Sequence, residues 1–183
     1  MRRPLWIVAR LGTLVVVASL LVLLVVHVAT ARRGAALAAA VAAGKDPAAP
    51  DFDLQRLDGG GKLRLSSLRG RVVVLNFWAS WCGACKDEAR TIEAGARRWQ
   101  PRGVVFLGVD SQDFKRDARA FARRYALTYP SVHDGPGSVM TRYGVTGFPE
   151  TWTVDRSGHL VDHVAGAVDA RRLDSAVRRA RNG

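Results

Sequence analysis

Hydrophobic positions are unevenly spread along the chain, and their spacing divides it. Residues 11–31, "LGTLVVVASLLVLLVVHVATA", hold no acidic residue, Lys or Arg. No polar face interrupts the run, as one would in a core helix, and about 20 such residues cross a bilayer's hydrocarbon as a helix. Residues 32–50, "RRGAALAAAVAAGKDPAAP", are Ala-rich and end in prolines, which reads as a linker that is partly helical. From Asp51 the spacing becomes that of a folded domain. "LQRLDGGGKLRL" (54–65) carries two short alternating runs around a Gly triplet and predicts a β-hairpin. "VVVLNFW" (72–78) and "VVFLGVD" (104–110) are continuous apolar runs of strand length, the signature of strands covered on both faces. Between them Cys85, Ala89, Ile92, Ala96 and Trp99 recur at helical spacing. Phe114, Ala118, Phe121, Ala122 and Tyr125 predict a second helix face, with Asp113 as its N-cap. "TWTVD" and "HLVDHVA" around "RSG" predict another hairpin, and Leu173, Val177 and Ala180 line a last helix. Strand–helix–strand–helix followed by hairpin–helix implies an α/β sandwich with a mixed central sheet flanked by helices. The domain boundaries read as 1–10 before the span, 11–31 for the span, 32–50 for the linker and 51–183 for the folded domain.

The 183 residues carry a formal charge of +12, but the sign bias is not uniform. Five of the 28 basic residues and none of the 16 acidic ones lie before Lys45, which leaves +7 on the rest. There the Lys and Arg residues are dispersed among Asp and Glu and form no block, which argues against nucleic acid as a partner. Attraction to an anionic membrane surface fits the charge better. Arg2, Arg3 and Arg10 precede the span and Arg32 and Arg33 follow it, a bias that puts the N-terminus in the cytoplasm and the domain outside. Two readings of the span stay open. Its length favours a retained single-pass anchor, whereas "ATA" at 29–31 fits a signal cleavage site. No cysteine stands directly after the span, so a lipoprotein anchor is not expected.

Cys82 and Cys85 are the chain's two cysteines, placed where the first buried strand runs into its helix. Cys85 lies on the apolar stripe and should face the core. Cys82 precedes the stripe at the first helical turn, where free backbone N–H groups and the helix dipole favour a thiolate. The pair therefore reads as an exposed nucleophile, Cys82, and a sheltered resolving thiol, Cys85. A zinc site lacks ligands: His27 lies in the span, and His133, His159 and His163 do not form a finger-spaced pair. A purely structural disulfide remains possible for an exported protein. Glu88, three residues after Cys85, shares its helix face and is placed to raise the Cys85 pKa and take its proton through a water.

"FWASWCGACK" resembles the active site of the thioredoxin superfamily, and "VTGFPETWTVD" (145–155) resembles its second motif, with Pro149 as the cis-proline beside the cysteines. The resemblance runs from about residue 51 to 180. It implies a thioredoxin-like sandwich in which Gly147, Phe148 and Pro149 present a backbone edge to a protein substrate, Trp81 and Trp78 shield the thiols, and Glu150 shapes the groove. Asn76 stands where cytoplasmic thioredoxins carry a buried Asp. With Glu88, "PET" at 149–151 and a helix–strand insert over 111–135, this is similar to the TlpA/DsbE-like branch, membrane-anchored oxidoreductases that include those of cytochrome c maturation. That branch implies disulfide reduction in exported proteins such as apocytochrome c, a membrane dithiol as electron donor, a periplasmic or extracellular catalytic domain, and no cofactor. Disulfide formation in secreted proteins is the alternative, and a tethered scaffold with an inert disulfide is the second. Ala84, where many relatives have Pro, bears on the redox direction. Ala79, where the peroxiredoxin branch needs Thr, argues against a peroxidase.

Overall fold

The computed structural model describes residues 5–182, so Arg2 and Arg3 of the charge bias lie outside the described residues. The apolar run forms a helix, α1 (Leu5–Ala42), whose stretch Ala9–Ala29 is long and apolar enough to cross a membrane. The helix does not stop at the predicted linker boundary. Its Ala-rich continuation has high helix propensity, and Leu37, Ala38 and Val41 pack on the domain core. Beyond it, Leu160 N–H donates to the Pro47 carbonyl at 2.8 Å and Ala49 N–H to that of Gly158 at 2.9 Å. The stretch read as a linker is thus docked along much of its length, because Leu37 and Val41 stand one turn apart on a face the domain can bury.

The folded domain follows the predicted order, with one short helix, Ser138–Tyr143, added after the insert. A hairpin, β1 (Asp53–Arg56) and β2 (Lys62–Arg64), precedes β3 (Val73–Trp78) and α2 (Gly83–Trp99). Then come β4 (Val105–Ser111), the insert α3 (Lys115–Arg124) with β5 (Ser131–Asp134), and α4 (Ser138–Tyr143). The hairpin β6 (Glu150–Val154) and β7 (Leu160–Ala165) and the helix α5 (Ala170–Asn182) complete it. One seven-stranded mixed sheet runs in the order β2-β1-β5-β4-β3-β6-β7. β3 pairs in parallel with β4 and antiparallel with β6, so its six residues are buried on both faces, as its unbroken apolar run requires.

Alternation along β3 sorts the core. Val73, Leu75 and Phe77 face a cluster with Leu107, Val109, Tyr143 and Trp152, closed by the end of α1. Val74 points the other way, into Ile92, Ala96 and Trp99 of α2 and Leu173 and Val177 of α5. The helical stripes read from the sequence are buried, or half-buried at Ala122 and Tyr125, with one exception. Phe114 is 78% exposed and itself occupies the N-cap position of α3. Asp113 therefore stands one residue before the cap, and its carboxylate is engaged elsewhere.

Candidate active site

The chain leaves β3 at Trp78 and re-enters a helix at Gly83, and this short passage positions both sulfurs. Cys82 is the N-cap of α2, and its Sγ accepts from Cys85 N–H at 3.1 Å. A polarisable sulfur thus meets one of the amide hydrogens a helix start leaves unpaired. Cys82 and Cys85 form a disulfide with their Cα atoms 5.3 Å apart. Cys82 is not the exposed partner that the sequence implied: it is 6% accessible and Cys85 3%. In the oxidised state the first sulfur turns inward to meet the second, among Trp78, Ala79, Ala89 and Phe121, with Phe148 packed against the group. The exposed surface beside it belongs to Trp81, 60% accessible, and to Gly83 and Ala84.

Glu88 lies on the buried side of α2. Its Oε1 accepts from Val168 N–H at 2.9 Å and its Oε2 from Asn76 Nδ2 at 3.2 Å, and the same Asn76 amide donates to Thr151 Oγ1 at 3.2 Å. Burial outweighs these two donors and holds the Glu88 carboxyl above its ordinary pKa. A carboxyl that retains its proton readily, one turn from Cys85, suits proton transfer better than ion pairing. Asn76, central to this network, sits mid-strand in an apolar run, and that position is the signal that it serves the interior.

The Phe148–Pro149 peptide bond is cis. Phe148 is half-buried and its ring meets Trp81 edge-on at 5.6 Å, so the second motif abuts the first, while Gly147 is exposed with open space around it. Trp78 does not reach the surface; it stacks on Phe121 at 4.6 Å and is a core residue. Glu150 is also misplaced by the sequence reading. It alternates with Thr151 on β6 and so faces away from α2, where its Oε1 accepts from Trp152 Nε1 at 3.0 Å and contacts His163 Nε2 at 2.9 Å. It fastens the sheet's far face and does not line the groove.

The structure adds a brace that was not read from the sequence. Asp113, after β4, accepts from Ser80 N–H at 2.6 Å through Oδ2, and from Ser80 Oγ at 3.0 Å and Phe114 N–H at 2.7 Å through Oδ1. Beside it Trp81 Nε1 donates to the Gln112 carbonyl at 3.0 Å. Behind the brace Asp110, fully buried, contacts His133 Nδ1 at 2.6 Å. Burial, with Asp113 and Asp134 nearby, pushes Asp110 up to about 9, and burial with Lys115 and Arg119 holds His133 down. Both shifts favour the uncharged forms, the direction of a hydrogen bond rather than an ion pair.

Comparison with known proteins agrees with this geometry. The profile of the AhpC/TSA family matches residues 46–163. The chain belongs to that family. A thiol-disulfide oxidoreductase ResA of Geobacillus thermodenitrificans is 36% identical over 120 residues, which cover 66% of this chain and 68% of the relative. Among solved structures, a putative thiol:disulfide interchange protein DsbE from Chlorobium tepidum superposes with a TM-score of 0.68 at 28% identity, covering 74% of this chain and 96% of that one. A secreted Mycobacterium tuberculosis disulfide oxidoreductase homologous to E. coli DsbE superposes at 0.61 with 26% identity, covering 70% and 93%. Within the AhpC/TSA family this chain is a thioredoxin-like thiol–disulfide oxidoreductase of the ResA/DsbE type.

Proposed function

We propose that this protein is a single-pass, membrane-anchored oxidoreductase that reduces disulfides of exported proteins on the periplasmic or extracellular side, with apocytochrome c as the favoured substrate. The observation that carries the reading is the disulfide at the N-terminus of α2 with the buried Glu88 carboxyl beneath it. The apolar stretch Ala9–Ala29 supports the anchor. The relatives' names support the chemistry, and the charge bias around the span supports the orientation.

The reaction follows from the positions of the groups. In the dithiol form the helix N-terminus stabilises a Cys82 thiolate. That thiolate attacks one sulfur of the substrate disulfide; the substrate S–S bond breaks, a mixed disulfide forms, and the leaving thiolate takes a proton. Cys85 then loses its proton to Glu88 through a water and attacks Cys82 Sγ. The Cys82–Cys85 bond forms, the bond from Cys82 to the substrate breaks, and the departing thiolate takes up the proton that Glu88 received, so the substrate's second thiol is released. Two electrons have passed to the substrate, and a membrane dithiol on the anchor's side restores the enzyme. The chain beside Pro149 presents its backbone edge to the substrate, with Gly147 leaving the approach open.

Trapping tests this. A Cys85→Ser variant expressed in its own host cannot release its partner and should accumulate a Cys82-linked mixed disulfide. Recovery of chains with the haem-attachment sequence C-x-x-C-H supports reduction of apocytochrome. A broad set of secreted proteins with structural disulfides would favour the oxidase instead. No mixed disulfide from a folded, exported variant would leave an inert scaffold.

A further inference from the structure

Outside α1, Trp81 and Phe114 are the large hydrophobic side chains left exposed among the described residues. They come from different parts of the fold, Trp81 from the passage before Cys82 and Phe114 from the start of the insert helix α3. Hydrogen bonds join the two segments that carry them. Ser80 Oγ and Phe114 N–H both donate to Oδ1 of Asp113, so the residue before Trp81 and the backbone of Phe114 share one oxygen atom. The indole of Trp81 is tied by its N–H to the carbonyl of Gln112, two residues before Phe114. On its other side the Trp81 ring meets Phe148. Trp81 thus lies between Phe148 and the backbone segment that carries Phe114, beside the disulfide. Nothing in the fold of α3 requires an aromatic residue at its N-cap, where Ser, Thr, Asp and Asn are the usual choices. The apolar face of α3 is already buried through Ala118 and Phe121.

We infer that Phe114 is a substrate-docking residue, which with Trp81 forms a two-point apolar platform for a bulky aliphatic or aromatic side chain near the substrate's cysteine. The inference rests on the reading of Cys82–Cys85 as the exchange site, with which the platform is continuous. The partner it fits is an extended, unfolded polypeptide segment, since a folded protein seldom offers a cysteine and a large apolar side chain together at its surface. Asp113 is the positioning residue: its carboxylate fixes both the loop that carries Trp81 and the amide of Phe114. Docking there adds binding energy for polypeptides and none for a small disulfide that reaches only the sulfurs.

The test uses the full chain in detergent, reduced and kept so by excess dithiothreitol. Two synthetic peptides, each closed by a C-x-x-C disulfide, differ in one flanking residue, Leu or Ser; cystamine is the small disulfide. The unaltered protein should reduce the Leu peptide with a kcat/KM several-fold above that of the Ser peptide. Phe114→Ser should lower kcat/KM for the Leu peptide by about tenfold, mainly through KM, the size expected for an ordinary interface anchor. Its rates with the Ser peptide and cystamine should stay within about twofold. Phe114→Leu, still apolar, should restore most of the preference. Equal kcat/KM for both peptides in the unaltered protein, or an unchanged preference in Phe114→Ser, overturns the platform while leaving the exchange activity standing. No turnover of any of the three disulfides by the unaltered protein instead overturns the activity on which the platform rests.

Discussion

Replacing Glu88 by Gln should make the folded domain more stable at alkaline pH, although it removes a group assigned to the reaction. In the oxidised protein the Glu88 carboxyl is buried and accepts two donors, Val168 N–H and Asn76 Nδ2. A glutamine there keeps a carbonyl oxygen for Val168. Its amide nitrogen faces Asn76 Nδ2, and a half-turn of the Asn76 amide presents an oxygen to it and to the Thr151 hydroxyl. Exchanging a charge-assisted bond for a neutral one costs about 1 kcal/mol. Against this stands the burial cost of the carboxylate, which prevails over the two donors, since the carboxyl is held above its ordinary pKa. For an acid whose folded pKa is raised, stability is fully present below the unfolded value of about 4.3 and is lost as pH rises through the folded value. Each unit of elevation corresponds to about 1.4 kcal/mol, or roughly 5 °C in the midpoint of a domain this size. Thermal unfolding followed by tryptophan fluorescence, with both proteins oxidised and in the same detergent, should give midpoints that agree near the unfolded pKa, at about pH 4. They should separate as pH rises, with the Glu88→Gln variant the more stable. A variant less stable than the unaltered protein at about pH 8, with the gap closing on acidification, would show that the two donors outweigh burial and would refute the reasoning.

Two further substitutions probe the packing. In Gly95→Ala the new Cβ would lie 2.6 Å from Leu173 Cδ2 and 3.3 Å from the Phe106 ring, so the buried Leu173 side chain must shift within the α2–α5 contact. Overpacking of about 1–3 kcal/mol, less about 1 kcal/mol of gained helix propensity, should lower the melting midpoint by up to roughly 10 °C, and a companion Leu173→Val should recover part of it. Asp113→Ala leaves three donors without their acceptor. It should destabilise by about 1–2 kcal/mol and change the alkylation rate of Cys82 in the reduced protein. An unchanged rate with an unchanged midpoint would mean that the brace fastens nothing.

What the sequence determined by itself was the set of elements and the chemistry at one junction. Strands buried on both faces, two hairpins and the stripes of α2 and α5 follow from the period of the apolar residues, because backbone geometry sets that period. The Cys82–Cys85 pair was legible because a two-residue spacing at a strand-to-helix junction restricts what the sulfurs can meet, and Glu88 because three residues along a helix is one face. The tertiary structure decided which face of the sheet each alternating position met. That turned Glu150 away from the groove, and it brought Asn76 and Thr151 together from β3 and β6 to hold Glu88. It decided that Cys82 is buried while Trp81 and Phe114 are exposed, since exposure depends on what the rest of the chain lays over a residue. It also moved Asp113 from a helix cap to a brace and docked the end of α1 on the core. Periodicity is local and repeats within one element, whereas each of these contacts joins residues distant along the chain, through pairings that no single segment encodes.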